Sequence, residues 1–398
     1  NRRNACDPSA KHPQGCQSSL IFSYFRKDES FSLFKLIAVE GDCVPTIYYF
    51  LMDLQNENPE NENQPQPTPE EYLADRKSSI RRKSWWAVGI GGFLVFVHLG
   101  WMLVFILAKQ FDLLNLLFEI LGFKPDLSIL FRNIFFILGL VGFIGGIWGL
   151  YYARSLNLND IIPTEAAIKY LEEVREITPY YTYILVASII AVTIVQKPDL
   201  LNADGIDAAG LVKPLVWNGE FWRLLTAGTL HGGLLHIYFN GQALYGLGTT
   251  VEYLSNRAHL AIVFVLAIIS GSLFSLYFMP DTTSVGASGG IMGIIGYAAI
   301  LGYRRKYQMP PDFLKNMLVN IGFIGAFGLV AYQFIDNFGH LGGLLVGIVY
   351  GFLQIPKSLE KDPRKVSAIA DFFGMIAIGI FVFTAILSIL LILEKVKF

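Results

Sequence analysis

Nine stretches of this chain are apolar over about the length that crosses a bilayer, roughly 20 residues, and that constrains it more than any other feature. They lie near 85–108, 131–152, 180–196, 228–254, 258–279, 285–303, 315–332, 335–355 and 370–393. Backbone groups inside hydrocarbon have no water to bond, so runs of this kind are predicted to be helices. Composition agrees: 53% of residues are hydrophobic and 16% charged, against about 25% charged in a soluble chain. The expected fold class is an all-α membrane protein, a polytopic helical bundle with the lipid bilayer as its partner. A net charge of -1 with scattered basic residues gives no reason to expect nucleic acid.

The remaining composition divides the chain. Residues 1–53 mix charged and aromatic residues and read as a small soluble module. Its Cys6, His12, Cys16 and Cys43 could form a zinc site, but the spacing fits no usual knuckle, so free thiols are expected, with no metal and no cofactor. The first residue is Asn1 rather than Met and no signal peptide follows, so the true N-terminus is expected to lie elsewhere. Residues 54–84 are rich in Asn, Gln, Glu and Pro and then basic, and they read as a linker. A helix hairpin is expected over 85–155, a cytoplasmic linker helix over 156–179, a core over 180–356 and a seventh core-associated helix over 357–398. Basic residues favour the cytoplasmic side of a membrane. Placing the basic cluster at 76–83 there also places Arg154, Lys169, Arg175, Arg257 and the clusters at 303–306 and 357–365 there, with Lys197, Lys213 and Arg223 opposite. The N-terminus is therefore expected in the cytoplasm, and the membrane is expected to be the plasma (inner) membrane.

That orientation runs the segments beginning near 228, 285 and 335 from outside to inside. They bring His236 and Asn240, Ser288, and His340 to a similar depth toward the outer face. Ionisable groups at that depth are costly unless they serve a purpose. A serine in an apolar helix can simply bond the carbonyl one turn back. The surrounding glycines of "GASGG", Gly286 and Gly289 among them, instead admit a neighbouring backbone and leave amides accessible, which favours a nucleophile. His340 reads equally as a structural hydrogen-bonding group or as a base. Gly343, Gly347 and Gly351 follow it at intervals of four and define one smooth face, which could set the imidazole against the Ser288 helix. His236 and Asn240 are also four apart and share a face, an arrangement suited to a developing oxyanion or to a pair bonding each other. His231 lies off that face and reads as structural, while His98 and His259 have no converging partners and are assigned no chemistry.

The pieces "GEFWRLLTAGTLHGGLLHIYFN" (219–240), "GASGG" (286–290) and "GHLGGLLVG" (339–347) together resemble the rhomboid family of intramembrane serine proteases, in that family's order. The resemblance covers residues about 180 to 355 and implies a six-helix core. It implies Ser288 as nucleophile and His340 as general base, a dyad without a third carboxylate. His236, Asn240 and the Ser288 amide would line the oxyanion hole, and Trp222 and Arg223 would belong to the loop after the first core helix. One turn after Ser288 the family often has an aromatic that packs on the catalytic imidazole, whereas this chain has Met292. The implied function is a serine endopeptidase that cuts single-span membrane proteins within or near the outer part of their transmembrane segments. The alternatives are a catalytically inactive rhomboid-like protein that binds membrane clients, and a transporter relaying protons through histidines. The second requires acidic partners within the membrane, and only Glu252 and Asp336, near segment ends, come close.

Overall fold

The structure, a computed structural model, describes residues 68–110, 134–160, 165–172, 177–199, 204–332 and 334–394. The N-terminal module, with Cys6, His12, Cys16 and Cys43, and the linker as far as residue 67 lie outside the described residues. What is described is helical, and its only strand-like feature is an isolated antiparallel bridge between Leu211 and Ser284.

Two long helices come first, α1 (Pro69–Gln110) and α2 (Ile134–Ser155). α1 starts well before the apolar run, so residues 69–84 are helix rather than linker. The cause is local. The Thr68 amide donates to Glu71 Oε2 at 2.7 Å and the Glu71 amide donates to Thr68 Oγ1 at 3.2 Å, a reciprocal cap with proline at the first helical position. α1 and α2 pack backbone to backbone: a Cβ on Gly91 would stand 2.5 Å from the Gly139 carbonyl oxygen, and one on Gly146 would stand 2.7 Å from that of Ser84.

After a short helix α3 (Glu165–Glu172), the core is built from α4 (Tyr180–Gln196), α8 (Leu234–Leu254), α9 (Arg257–Phe278), α10 (Ser288–Arg304), α11 (Phe313–Val330) and α12 (Asn337–Gln354). The loop between α4 and α8 carries three short helices, α5 (Ile206–Ala209), α6 (Lys213–Trp217) and α7 (Arg223–Thr226), and a 3₁₀ turn, Ala227–Thr229. α13 (Ala368–Ile392) closes the bundle against α4 and α9. α10 is the central helix, buried continuously from Gly290 to Gly302. The outer helices turn Leu266, Leu353, Phe372 and Phe383 outward, as lipid-facing surfaces do.

Stretches within Glu70–Leu103, Arg257–Phe278 and Ala368–Ile392 are long and apolar enough to cross a membrane by length and composition alone; Tyr180–Gln196 and Phe313–Leu329 are apolar but shorter. The site helices α8, α10 and α12 are diluted by glycines and polar residues. The chain is a multi-pass helical membrane protein.

Polar anchors hold the ends of the helices. Glu252, buried near the end of α8, accepts from the amides of Thr182 (2.5 Å) and Tyr181 (3.4 Å) and from the Thr182 hydroxyl (2.6 Å), which satisfies the first turn of α4. Arg304 donates to the Ile355 carbonyl, and Arg305 to those of Ser358 and Lys361. Two of the basic residues used for orientation therefore also tie α10 to the chain leaving α12. The hairpin reaches α11 at both ends. The Tyr152 hydroxyl donates to Asp312 at 3.0 Å, while Val141 clusters with Phe323, Phe327 and Ala331.

Candidate active site

The site begins at Gly286. Its φ of 124° lies where a side chain is strained, and a Cβ there would stand 2.8 Å from His236 Nε2 and 3.7 Å from Ser288 Oγ. Only a glycine leaves room here for the imidazole edge, and the Ser288 hydroxyl lies on the far side of the same point at ordinary contact distance. The Gly286 amide donates to the Ala227 carbonyl at 2.9 Å, which fixes the turn on the loop below it.

Two residues later α10 begins, with Ser288 as its first residue. The first amides of a helix have no partner within it and carry the positive end of its dipole. The Ser288 N–H is thus a donor at the same place as its hydroxyl.

His236 sits in the first turn of α8. Its Nδ1 accepts from the Gly232 amide at 3.2 Å, so the neutral ring carries its hydrogen on Nε2, the atom facing Gly286. The Asn240 amide nitrogen, one turn on, donates to the His236 carbonyl at 3.0 Å. That bond takes one of its two hydrogens and orients the other. His231 is fully buried, and its ring meets that of His236 edge-on at 5.2 Å. Its backbone is gripped on both sides by Gln196, whose Oε1 accepts from the His231 amide at 3.0 Å and whose Nε2 donates to the His231 carbonyl at 3.3 Å. Sequence reasoning passed over Gln196; the available signal was a lone amide closing an apolar helix.

His340 lies in the first turn of α12. The helix is capped by Asp336, which accepts from the Gly339 amide at 2.7 Å. The glycines on either side of His340 meet the start of α10: a Cβ on Gly289 would be 3.5 Å from the Gly339 carbonyl oxygen, and a Cβ on Gly343 would be 2.0 Å from that of Gly289. Gly347 repeats the contact one turn lower, 2.0 Å from the Gly293 carbonyl oxygen. α9 joins the crossing through Gly271, also passed over in the sequence, where a Cβ would stand 2.6 Å from the Gly339 carbonyl oxygen. Among the described residues no hydrogen bond joins the Ser288 hydroxyl to the His340 ring, and His340 Nδ1 is buried without a partner. Met292 is buried in the main apolar core.

Arg223 and Trp222 brace the loop between α4 and α8. The Arg223 guanidinium donates to the carbonyls of Gly210 (2.8 Å) and Asp207 (3.0 Å), pairs with Glu220 at 2.7 Å and stacks on Trp222. His259, given no chemistry from sequence, shares a 2.9 Å hydrogen bond with Tyr350 away from the site. No cluster of His, Cys, Asp and Glu that could hold a metal occurs among the described residues.

Residues 218–357 match the family model of the Rhomboid domain. The chain is 33% identical over 195 residues to the rhomboid protease GluP of Bacillus subtilis, covering 48% of this chain and 38% of that protein. It is 32% identical over 165 residues to the mitochondrial RHOMBOID-like protein 6 of Arabidopsis thaliana, covering 39% of this chain and 51% of the relative. It is also 28% identical over 134 residues to the inactive RHOMBOID-like protein 8 of the same plant, covering 33% of this chain and 38% of the relative. The matches thus span about half of these relatives' own lengths or less.

Proposed function

We propose that this chain, a member of the rhomboid family through residues 218–357, is a serine endopeptidase working within the membrane. Its substrates on this reading are single-span membrane proteins, cut within or near the outer part of the transmembrane segment. The observation that carries the reading is the meeting at Gly286: the Nε2 of His236 and the Oγ of Ser288 flank the point where a Cβ would stand, 2.8 and 3.7 Å from it. The turn bearing His340 is meanwhile held against the start of α10 by backbone contact on both sides.

In this mechanism Ser288 Oγ attacks the scissile carbonyl while the His340 imidazole takes the hydroxyl proton. The carbonyl oxygen becomes an oxyanion, met by the Nε2–H of His236, the Asn240 amide and the Ser288 N–H. Collapse of that intermediate breaks the C–N bond, and His340 passes its proton to the leaving amine. A water, deprotonated by the same imidazole, then hydrolyses the acyl-enzyme and restores Ser288. Catalytic hydrogen bonds often tighten only once substrate is bound, so the missing Ser288–His340 bond is compatible with this sequence of steps. A helical amide is shielded by its own hydrogen bonds, so substrates with small or helix-breaking residues at the cut should be preferred. On the same reading the loop charges favour an N-terminus in the cytoplasm, with the chain in the plasma (inner) membrane.

Labelling with a fluorophosphonate probe, run beside cleavage of a single-span test substrate, examines the proposal. Ser288→Ala should lose both, because the change removes the nucleophile and leaves the glycine packing intact. Cleavage at the same bond by purified Ser288→Ala would refute the assignment. An intact wild-type protein that binds single-span proteins yet neither cleaves them nor reacts with the probe would make it an inactive client-binding member.

A further inference from the structure

Lys213 is an anomaly in this fold. It is a lysine on the outer loop, at the start of α6, yet it is almost fully buried. All three of its ammonium hydrogens have acceptors in one short segment: the Thr282 carbonyl, Thr282 Oγ1 at 3.2 Å and Ser284 Oγ at 2.8 Å. Ser284 is held from its other sides as well. Its backbone pairs with Leu211 (Leu211 amide to Ser284 carbonyl, 3.0 Å), and its hydroxyl lies 2.9 Å from that of Ser275 on α9. This segment leads directly through Gly286 into Ser288.

We propose that Lys213 is a positioning residue for Ser288: its buried ammonium pins residues 282–284 to the outer loop and so sets where α10 begins and where the serine hydroxyl points. The proposal rests on the reading of Ser288 as nucleophile. Three features favour it over a merely structural lysine. The connection from α9 to α10 is short and exposed from Asp281 to Thr283, and Thr282 otherwise bonds only its own turn, at the Met279 carbonyl, so Lys213 is what ties that outer edge to another segment. A buried ammonium is costly unless every hydrogen is used, and here all are used on one segment. Burial pushes the Lys213 ammonium down to about 8, with Asp336 drawing it back up, so it remains charged at neutral pH and keeps all three donors.

The test replaces Lys213 with Met, which keeps the stem and removes the donors, and uses two readouts on the full-length protein in lipid. Amide hydrogen exchange over 280–288 reports the tether itself. It should quicken by at least about tenfold in Lys213→Met, since hydrogen bonds to a charged group are stronger than neutral ones and three are lost together, while exchange in α13 stays unchanged. The rate of Ser288 labelling by a fluorophosphonate reports the nucleophile. It should fall by about 10–100-fold, in line with the ~10²-fold cost of a 1 Å misplacement, with kcat falling for a test substrate and KM nearly constant. Lys213→Arg, which retains charge and donors, should recover part of both. If Lys213→Met does not fold, Ser284→Ala carries the same comparison from the acceptor side. Unchanged exchange over 280–288, or faster exchange with undiminished labelling, would overturn the proposal. Wild-type labelling that does not depend on Ser288 would instead remove the nucleophile reading, and this proposal with it.

Discussion

A single methyl group at Gly343 should separate the two helices that carry the proposed dyad. Its Cβ would stand 2.0 Å from the Gly289 carbonyl oxygen and 2.8 Å from that residue's carbonyl carbon. Ordinary contact begins near 3.5 Å, so the α10 and α12 backbones must part by roughly 1.5 Å at this level, or one must rotate. Neither neighbour has a flexible side chain that could give way, because both contacts are backbone. Overpacking of this kind costs about 1–3 kcal/mol, and a shift of ~1 Å at a reacting group can cost ~10²-fold in rate. Gly343→Ala should therefore lower the thermal midpoint in lipid or detergent by several degrees and cut cleavage of a single-span substrate by about two orders of magnitude. Gly322→Ala is the control: the same methyl on α11 meets nothing within 4 Å, so midpoint and rate should stay close to wild type. Both glycine variants cleaving at the wild-type rate would refute the argument that backbone contact at Gly289–Gly343 sets the dyad geometry.

Gly347→Leu should inactivate in the same way from one turn deeper, where a Cβ would stand 2.0 Å from the Gly293 carbonyl oxygen; measured turnover equal to wild type would count against it. Asn240→Ala should lower turnover by about 10²–10³-fold, the usual effect of losing one oxyanion donor, leaving residual cleavage above that of Ser288→Ala. Glu252→Ala would strand the buried Thr182 amide at the start of α4 and free the half-buried Tyr181 amide beside it, and the unfolding free energy should fall by about 1–3 kcal/mol for the buried unsatisfied group, read from thermal or denaturant melts. Removing residues 1–67 should preserve proteolysis. A cut at residue 79 deletes the Thr68–Glu71 cap, and circular dichroism should then register fraying at the start of α1 that the shorter deletion does not cause.

The extra helical turns at the start of α1 were legible in the sequence. Thr68, Pro69 and Glu71 are a helix start signal, but they stand at the end of a disorder-like run whose composition outweighed them. Helix starts at the site shifted for a related reason. The apolar run near 228 becomes helix only at Leu234, because Gly233 has a φ of 150°, and the run near 285 only at Ser288, because Gly286 has a φ of 124°. Sequence shows that a glycine is present; whether it breaks a helix or lies flat within one is decided by what packs beside it.

By itself the sequence determined that the chain is a bundle of apolar helices, where the apolar runs lie to within a few residues or turns, and that α12 presents a glycine face below His340. Those properties depend on residues a few positions apart, through apolar length and a four-residue spacing, so they can be read along the chain. The tertiary structure alone decided that Gly343 and Gly347 meet Gly289 and Gly293, that Gln196 grips His231, and that Arg305 is spent on carbonyls beyond α12. It alone brought Lys213 to Ser284, 71 positions away. Contacts of that kind join segments whose local preferences are mutually indifferent. They exist only because close packing leaves one set of helix faces touching, and a buried donor must then bond whatever acceptor that packing puts within reach.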